Sequence, residues 1–307
     1  MHNKLERIKE LKKERDAVIL AHNYQMPEIQ DIADVVGDSF ELSKKAAEVK
    51  ASTIVFCGVH FMAECAHILA PDKTVLLPDK TAGCPMADMA DVDDLISKKK
   101  EHPNAKVVAY VNTSAKVKAE VDICCTSSNA KEVVDSLDTD EILFLPDKNL
   151  AWYISNKTDK KIIPWQGYCI THARVYPEEV DACRSNFPDA PIICHPECSP
   201  EIQNKVDHIM GTGGMVKFAK ETDAKRIIIG TEMGLIHRLQ KEAPDKEFLL
   251  LSQSFICSNM KKTTPDNILY VLENMENKIT LEPEIREKAK DSLVKMLEVR
   301  GEAIGSR

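Results

Sequence analysis

Aromatic residues make up only 5% of this 307-residue chain, and long apolar runs are missing altogether. No stretch approaches the roughly 18 apolar residues of a bilayer-spanning helix, which argues against an integral membrane protein. Basic residues do not dominate: 41 Lys and Arg stand against 49 Asp and Glu, a formal charge of −8. General nucleic-acid binding relies on clustered cations that displace counterions, so that class is disfavoured. No CxxC pair occurs among the 10 cysteines, leaving zinc ribbons and thioredoxin-type motifs without support. Neither G-x-G-x-x-G nor G-x-x-x-x-G-K-[ST] is present, so dinucleotide and P-loop readings lack their main signal. The charged start MHNKLERIKELKKERD carries Leu5, Ile8 and Leu11 at helical spacing but no apolar export core. The expectation is a cytoplasmic protein whose thiols stay reduced.

The sequence does contain a repeated order of elements. Short β-branched runs alternate with amphipathic stretches, the signature of β/α units on parallel sheets. The first module reads as strand 17–21, helix 39–49, strand 53–57, helix 60–69 and strand 74–77. The second reads as strand 107–111, helix 114–120, strand 122–125, helix 129–136, then strands 142–145 and 162–165. The third reads as strand 191–194, helix 200–204, strand 208–210, helix 214–221, then strands 226–229 and 248–251. LPDK occurs at 77–80 and again at 145–148, each time closing a third strand. The modules divide at 1–86, 87–171 and 172–257. Residues from Lys261 onward read as a C-terminal helix, and segment 258–307 is expected to pack back on the first module.

Three cysteines share one context. Cys84, Cys169 and Cys257 each follow an apolar strand and a polar turn, about one module apart. Ligands of parallel sheets gather at the carboxyl ends of strands, so three such modules facing one centre would bring these thiols together. Three thiolates without a fourth point to an iron–sulfur cluster with one open iron, able to polarise a substrate oxygen as a Lewis acid. Each thiol taken singly reads rather as a small buried hydrophobe, as do Cys57 and Cys194; it is their shared context that favours ligation. The strand ends add proton-transfer groups: His22 and Tyr24, Tyr110 and Asn112, His195 and Glu197, with His172 just beyond Cys169. Ser39, Ser127 and Thr212 stand at expected helix starts, suited either to an anion or to ordinary capping. Asp38–Glu41 and Asn129–Glu132 have the spacing of capping boxes.

The segments AHNYQMPEIQDIADVVGDSFELSKKA, VFCGVHFMAE, LLPDKTAGCPMADM, YVNTSAKVKAEVDICCTSSNA, PWQGYCITHARV, HPECSPE, IIIGTEMGLIHRL and FICSNMKK follow in order from residue 21 to about 262. In them the chain resembles the quinolinate synthase family of NAD biosynthesis. The resemblance implies an α/β fold of three homologous three-layer, parallel-sheet domains around a pseudo-threefold axis. It implies a [4Fe–4S] cluster on Cys84, Cys169 and Cys257, and a condensing and dehydrating enzyme of transferase or lyase type. Its substrates would be iminoaspartate and dihydroxyacetone phosphate, with phosphate and water released and an aspartate oxidase or dehydrogenase as the source of the first. Carried over by position, Glu197, Tyr24, His22, Tyr110 and His172 are the expected catalytic groups. His22, Ser39, Tyr110, Asn112, Ser127, His195, Glu197 and Thr212 are the expected substrate contacts. The family commonly reads Ser-Thr-Ser-Gly where this chain has Gly211-Thr212-Gly213-Gly214, which puts substrate affinity there in question. Alternatives are another three-cysteine cluster enzyme, such as a reductive dehydroxylase or a diphthamide-synthase relative, and a non-catalytic iron–sulfur sensor.

Overall fold

A computed structural model describes residues 2–299. Among the described residues no helix is long and apolar enough to cross a membrane. The chain builds three four-stranded sheets. The first holds β1 (Ala17–His22), β2 (Val35–Gly37), β3 (Thr53–Cys57) and β4 (Thr74–Leu76). The second holds β5 (Lys106–Tyr110), β6 (Ile123–Cys125), β7 (Glu141–Leu145) and β8 (Lys161–Pro164). The third holds β9 (Ile192–Cys194), β10 (His208–Ile209), β11 (Arg226–Gly230) and β12 (Glu247–Leu250). Every pairing is parallel, and the spatial orders β2-β1-β3-β4, β6-β5-β7-β8 and β10-β9-β11-β12 are one topology repeated. The α/β fold of three related units is therefore as expected. TIVFC of β3 is buried along its whole length, which is why it reads as a continuous apolar run rather than an alternating one.

Two expectations need correction. In the first module β2 was not expected; an edge strand of three residues carries too little periodic signal to be seen. The C-terminal segment is two helices, Pro265–Asn274 and Pro283–Glu298, rather than one. The first ends on Met275, which adopts the left-handed conformation at φ 54°, as does Asn277 at φ 57°. It buries Ile268, Val271 and Leu272 with Ile8 and Leu11 of the N-terminal helix His2–Glu14, against the outer face of the first sheet. The second lies on β6 and on helices His60–Leu69 and Ala115–Lys118, so it touches the first and second modules together. Residues 300–307 of that expectation lie outside the described residues.

This second helix completes a shared interior. One apolar cluster runs through both modules and includes Phe56, Phe144, Leu293, Met296 and Leu297. The third module has its own clusters, one around Ile192, Ile228 and Phe255 and one around Ile229, Leu235 and Leu239. At roughly 1.5–3 kcal/mol per buried large side chain, the shared interior ties the first two modules more firmly than either is tied to the third.

Candidate active site

The opening strands of the three sheets end at one place. His22 is the last residue of β1, Tyr110 the last of β5, and His195 follows β9 directly. A cavity with about 90 Å³ of room for water-sized groups lies there. Tyr24, Ser39 and Cys84 line it from the first module. Asn112, Ser127 and Cys169 line it from the second, and His172, Glu197, Thr212 and Cys257 from the remainder. The expected catalytic, substrate-contacting and thiol residues thus face one space.

Glu197 lines it and is buried. The Tyr110 hydroxyl donates to Glu197 Oε1 at 2.7 Å, and His172 Nδ1 lies 2.8 Å from Oε2. Burial alone would push this carboxyl up; His195 and His172, with the hydrogen bonds from His172 and Tyr110, outweigh burial and hold it well below the usual carboxylate range. A carboxylate only accepts, so His172 carries its proton on Nδ1. In its neutral form the ring then accepts at Nε2 from Thr231 Oγ1, 2.9 Å away. Thr231 Oγ1 is in turn 2.6 Å from the Tyr24 hydroxyl. One hydrogen-bonded chain therefore runs Tyr24–Thr231–His172–Glu197–Tyr110. Burial and the Glu197 charge push both phenols well above their ordinary values, so both stay protonated and available as donors.

His22 and His195 are neutral. Burial pushes His22 down to about 3 and His195 down to about 4, against the opposing pull of Glu197. His22 Nδ1 accepts from Tyr24 N at 3.2 Å, which places the ring proton on Nε2. His195 Nδ1 accepts from Glu197 N at 3.3 Å, so its Nε2–H donates to Ser127 Oγ at 3.1 Å. Asn112 Oδ1 is buried without a hydrogen-bond partner, which leaves it free to accept from a bound molecule.

The hydroxyl positions differ in detail from their expected settings. Ser39 opens helix Ser39–Glu48, and the capping box of Asp38 and Glu41 is formed at 2.9 Å in both directions. Thr212 opens helix Thr212–Glu221 and accepts from Asn23 Nδ2 at 3.0 Å. Ser127 lies three residues ahead of helix Ala130–Ser136, not at its start. The Asn129–Glu132 box does not form, because Asn129 Oδ1 accepts from Thr126 N at 2.7 Å and its amide donates to Met296 O. The glycines of Gly211-Thr212-Gly213-Gly214 have a steric counterpart. A Cβ at Gly211 would stand 2.8 Å from Ser127 Oγ and 2.9 Å from Ser128 Oγ, and one at Gly213 2.8 Å from Asp38 Oδ2. Side chains of neighbouring modules fill the room that larger residues there would need.

The three thiols converge. A thiolate at Cys84 would repel one at Cys169 or at Cys257, and all three line the one cavity. Nearby backbone N–H groups favour each thiolate: Met86 and Ala87 at Cys84, His172 at Cys169, and Asn259 and Met260 at Cys257. Burial pushes Cys84 up to about 12 and raises Cys169 and Cys257, so the three lose their protons together only beside a cationic group. Soft donors in this arrangement fit an iron–sulfur cluster. A tighter set of Cys169, His172 and Glu197, with donor atoms within 4.8 Å of one another, has the make-up of a mononuclear site. The other seven cysteines are free thiols too, Cys57 and Cys194 being buried as expected.

Sequence reasoning passed over Thr231, Asp147, Asn149, Gln203 and Glu232. Asn149 Nδ2 donates to Glu197 O at 3.0 Å, and Gln203 Nε2 donates to Pro196 O at 2.9 Å and Cys198 O at 2.7 Å, fixing the loop that carries Glu197. Only the recurrence of LPDK hinted at Asp147; the rest lie in segments whose role depends on the tertiary fold.

Three parallel sheets, a buried acid–base chain and a trio of convergent thiols define an α/β enzyme built around one metal-competent cavity. The family model described as quinolinate synthetase A protein matches residues 6–298. The quinolinate synthase of Alkaliphilus metalliredigens is 54% identical over 299 residues, 97% of this chain and 99% of that protein. That of Methanosarcina barkeri is 53% identical over 296 residues, 96% and 97% of the two chains. That of Geobacter sp. strain M21 is 53% identical over 292 residues, 95% and 96%. The chain belongs to the quinolinate synthetase A family.

Proposed function

We propose that this enzyme makes quinolinate for NAD biosynthesis by condensing iminoaspartate with dihydroxyacetone phosphate, with loss of phosphate and water. The sum is redox-neutral, so the site needs acids, bases and oxygen ligands but no electron acceptor. The proposed modules 1–86, 87–171 and 172–257 would each supply one thiol, Cys84, Cys169 and Cys257, to a [4Fe–4S] cluster. Bound there, the cluster would supply Lewis acidity at an open iron. An aspartate oxidase or dehydrogenase would provide the iminoaspartate, and the ten free thiols suit a reducing cytoplasm.

The chain's own groups carry the proton transfers. Glu197, held ionised, accepts a proton from substrate carbon or oxygen and returns it to a departing hydroxyl. Tyr24 and Tyr110, held protonated, donate to oxygens that gain charge. As its donors point, the Thr231–His172 link passes a proton from Tyr24 toward Glu197: the Tyr24 proton moves to Thr231 Oγ1, the Thr231 proton to His172 Nε2 and the Nδ1 proton to Glu197 Oε2. His22 Nε2–H, Asn112 Oδ1 and His195 orient oxygens and carboxylates. Ser39, Ser127 and Thr212, with the helix starts at Ser39 and Thr212, receive the phosphate or a carboxylate.

The observation that carries this reading is the meeting of the Glu197 chain and the three thiols in one cavity. The test is quinolinate formation by anaerobically reconstituted protein given dihydroxyacetone phosphate and freshly generated iminoaspartate. Product is expected, with iron and acid-labile sulfide in equal amounts; iron without sulfide would favour the mononuclear Cys169–His172–Glu197 site instead. Glu197→Gln is expected to keep iron and sulfide and lose at least about 100-fold in turnover. Near-parent turnover by that variant would remove Glu197 from its role.

A further inference from the structure

Two buried carboxylates outside the acid–base chain hold the backbone of two of the three thiol loops. Asp147 and Glu232 are both fully buried. Asp147 Oδ1 accepts from Asn149 N at 2.8 Å and Leu150 N at 2.7 Å, capping helix Lys148–Ser155. Its other oxygen, Oδ2, accepts from the N–H of Cys169 at 3.2 Å. The Cys169 loop is pressed onto this segment: a Cβ at Gly167 would stand 2.6 Å from Pro146 O. In the third module Glu232 Oε1 accepts from the N–H of Cys257 at 3.1 Å. Its Oε2 accepts from Gly234 N at 2.8 Å, and Lys261 Nζ lies 2.8 Å from Oε1 and 2.9 Å from Oε2.

The two carboxylates come from the same position in their modules, two residues beyond β7 and β11, and each ends on the amide of the cysteine. In the first module the matching position, two residues beyond β3, is Val59, which carries no carboxylate. Asp79, in the first LPDK, spends Oδ1 on Thr81 N and Thr81 Oγ1, both at 2.7 Å, and its loop is held instead by the bond from His60 N to Ala82 O at 2.8 Å.

We propose that Asp147 and Glu232 are positioning residues that preset Cys169 and Cys257 for cluster binding by anchoring their peptide N–H groups. The proposal rests on the cluster reading of the three thiols. Groups that orient metal ligands from behind typically affect affinity by about 10- to 100-fold when removed. Preset loops spare the cluster the cost of ordering them.

Asp147→Asn separates the two duties of that side chain, because the amide keeps an oxygen for the helix cap and turns an NH2 toward the Cys169 N–H. Glu232→Gln does the same between Gly234 and Cys257, and leaves the Lys261 charge without its counter-charge. Both full-length variants and the parent are reconstituted anaerobically, and loss of iron and sulfide to a chelator is followed. The expected result is loss about 10- to 100-fold faster from each variant. In Glu232→Gln the midpoint potential of the cluster is expected to move positive, a shift that a purely structural role would not cause. In the metal-free proteins, deuterium uptake is expected to rise in the segments around residues 169 and 257, each in its own variant. Parent-like iron retention and parent-like deuterium uptake in both variants would overturn the proposal. If Asp147→Asn fails to fold, Glu232→Gln decides alone. If the parent itself takes up no iron and sulfide, the cluster reading fails, and the deuterium comparison, which needs no metal, still decides whether these carboxylates hold the loops: equal uptake overturns that claim.

Discussion

His22 and His195 are buried without charge in a site centred on an anion, and this has a pH signature. Their folded values, about 3 and about 4, lie below the ordinary value near 6.5. The unfolded chain therefore binds protons that the folded chain refuses, and stability falls as pH drops below about 6.5 until each folded value is reached. Each group contributes about 1.4 kcal/mol per pH unit in that window. Glu197, shifted down, stabilises above the ordinary carboxylate range and loses that contribution only at lower pH. Asp38, raised by burial and by the neighbouring Glu41 charge, and Asp147, raised by burial and by Glu197, act in the opposite sense, so the readout is a difference. In metal-free protein, the double change His22→Asn and His195→Gln is expected to lessen the fall in urea midpoint between pH 7 and pH 5. An unchanged fall would show that these rings titrate normally. At this scale much was legible from sequence. The polar residues at strand ends were visible because parallel sheets put ligands there, and all of them reach the cavity. Thr231 was not, since a single hydroxyl after an apolar strand carries no signal until Tyr24 and His172 are seen on either side of it.

Among elements, the turn after β11 and the turn after β1 interlock. Gln30 Nε2 donates to Gly234 O at 2.8 Å and to Gln25 O at 2.9 Å, while Arg238 donates to Asn23 Oδ1 at 2.7 Å. Gly234 has no room: a Cβ would lie 2.7 Å from both Tyr24 C and Tyr24 O. Gly234→Ala is expected to push the Tyr24 backbone away, lengthen the Tyr24–Thr231 bond and cost roughly 1–3 kcal/mol by overpacking. Thermal unfolding and turnover should fall together; a parent-like rate would mean the turn yields without moving Tyr24. The order of strands was legible because β-branched runs such as TIVFC and RIIIG are continuous and buried. The edge strand β2 and the break between the last two helices were not. The first is too short for periodicity, and the second depends on Met275, a residue that gives no turn signal.

For the molecule as a whole, the distribution of apolar cores matters more than the threefold repeat. Leu293, fully buried in the interior shared by the first two modules, is expected to cost about 2–5 kcal/mol on change to Ala. The urea midpoint reports it. Because the lost contacts belong to the first two modules, tryptophan fluorescence from Trp152 and Trp165, both in the second, should register the change. A midpoint within error of the parent would show that the helix is not part of that core. The sequence repeat made the three modules look equivalent, and the packing of helix Pro283–Glu298 across the first two helps distinguish them, because contacts so distant along the chain leave no local pattern.

That helix also sets a timetable for synthesis. The first two modules emerge from the ribosome early, but their common interior stays open along β6 until Pro283–Glu298 arrives. At about 5–20 residues per second, that wait lasts on the order of ten seconds. The thiols of Cys84 and Cys169 are displayed throughout that interval, while Cys257 and the last helix are still being made. On the proposed cluster reading the third ligand is missing until Cys257 is made, and a product truncated before Pro283–Glu298 would keep an unsealed core.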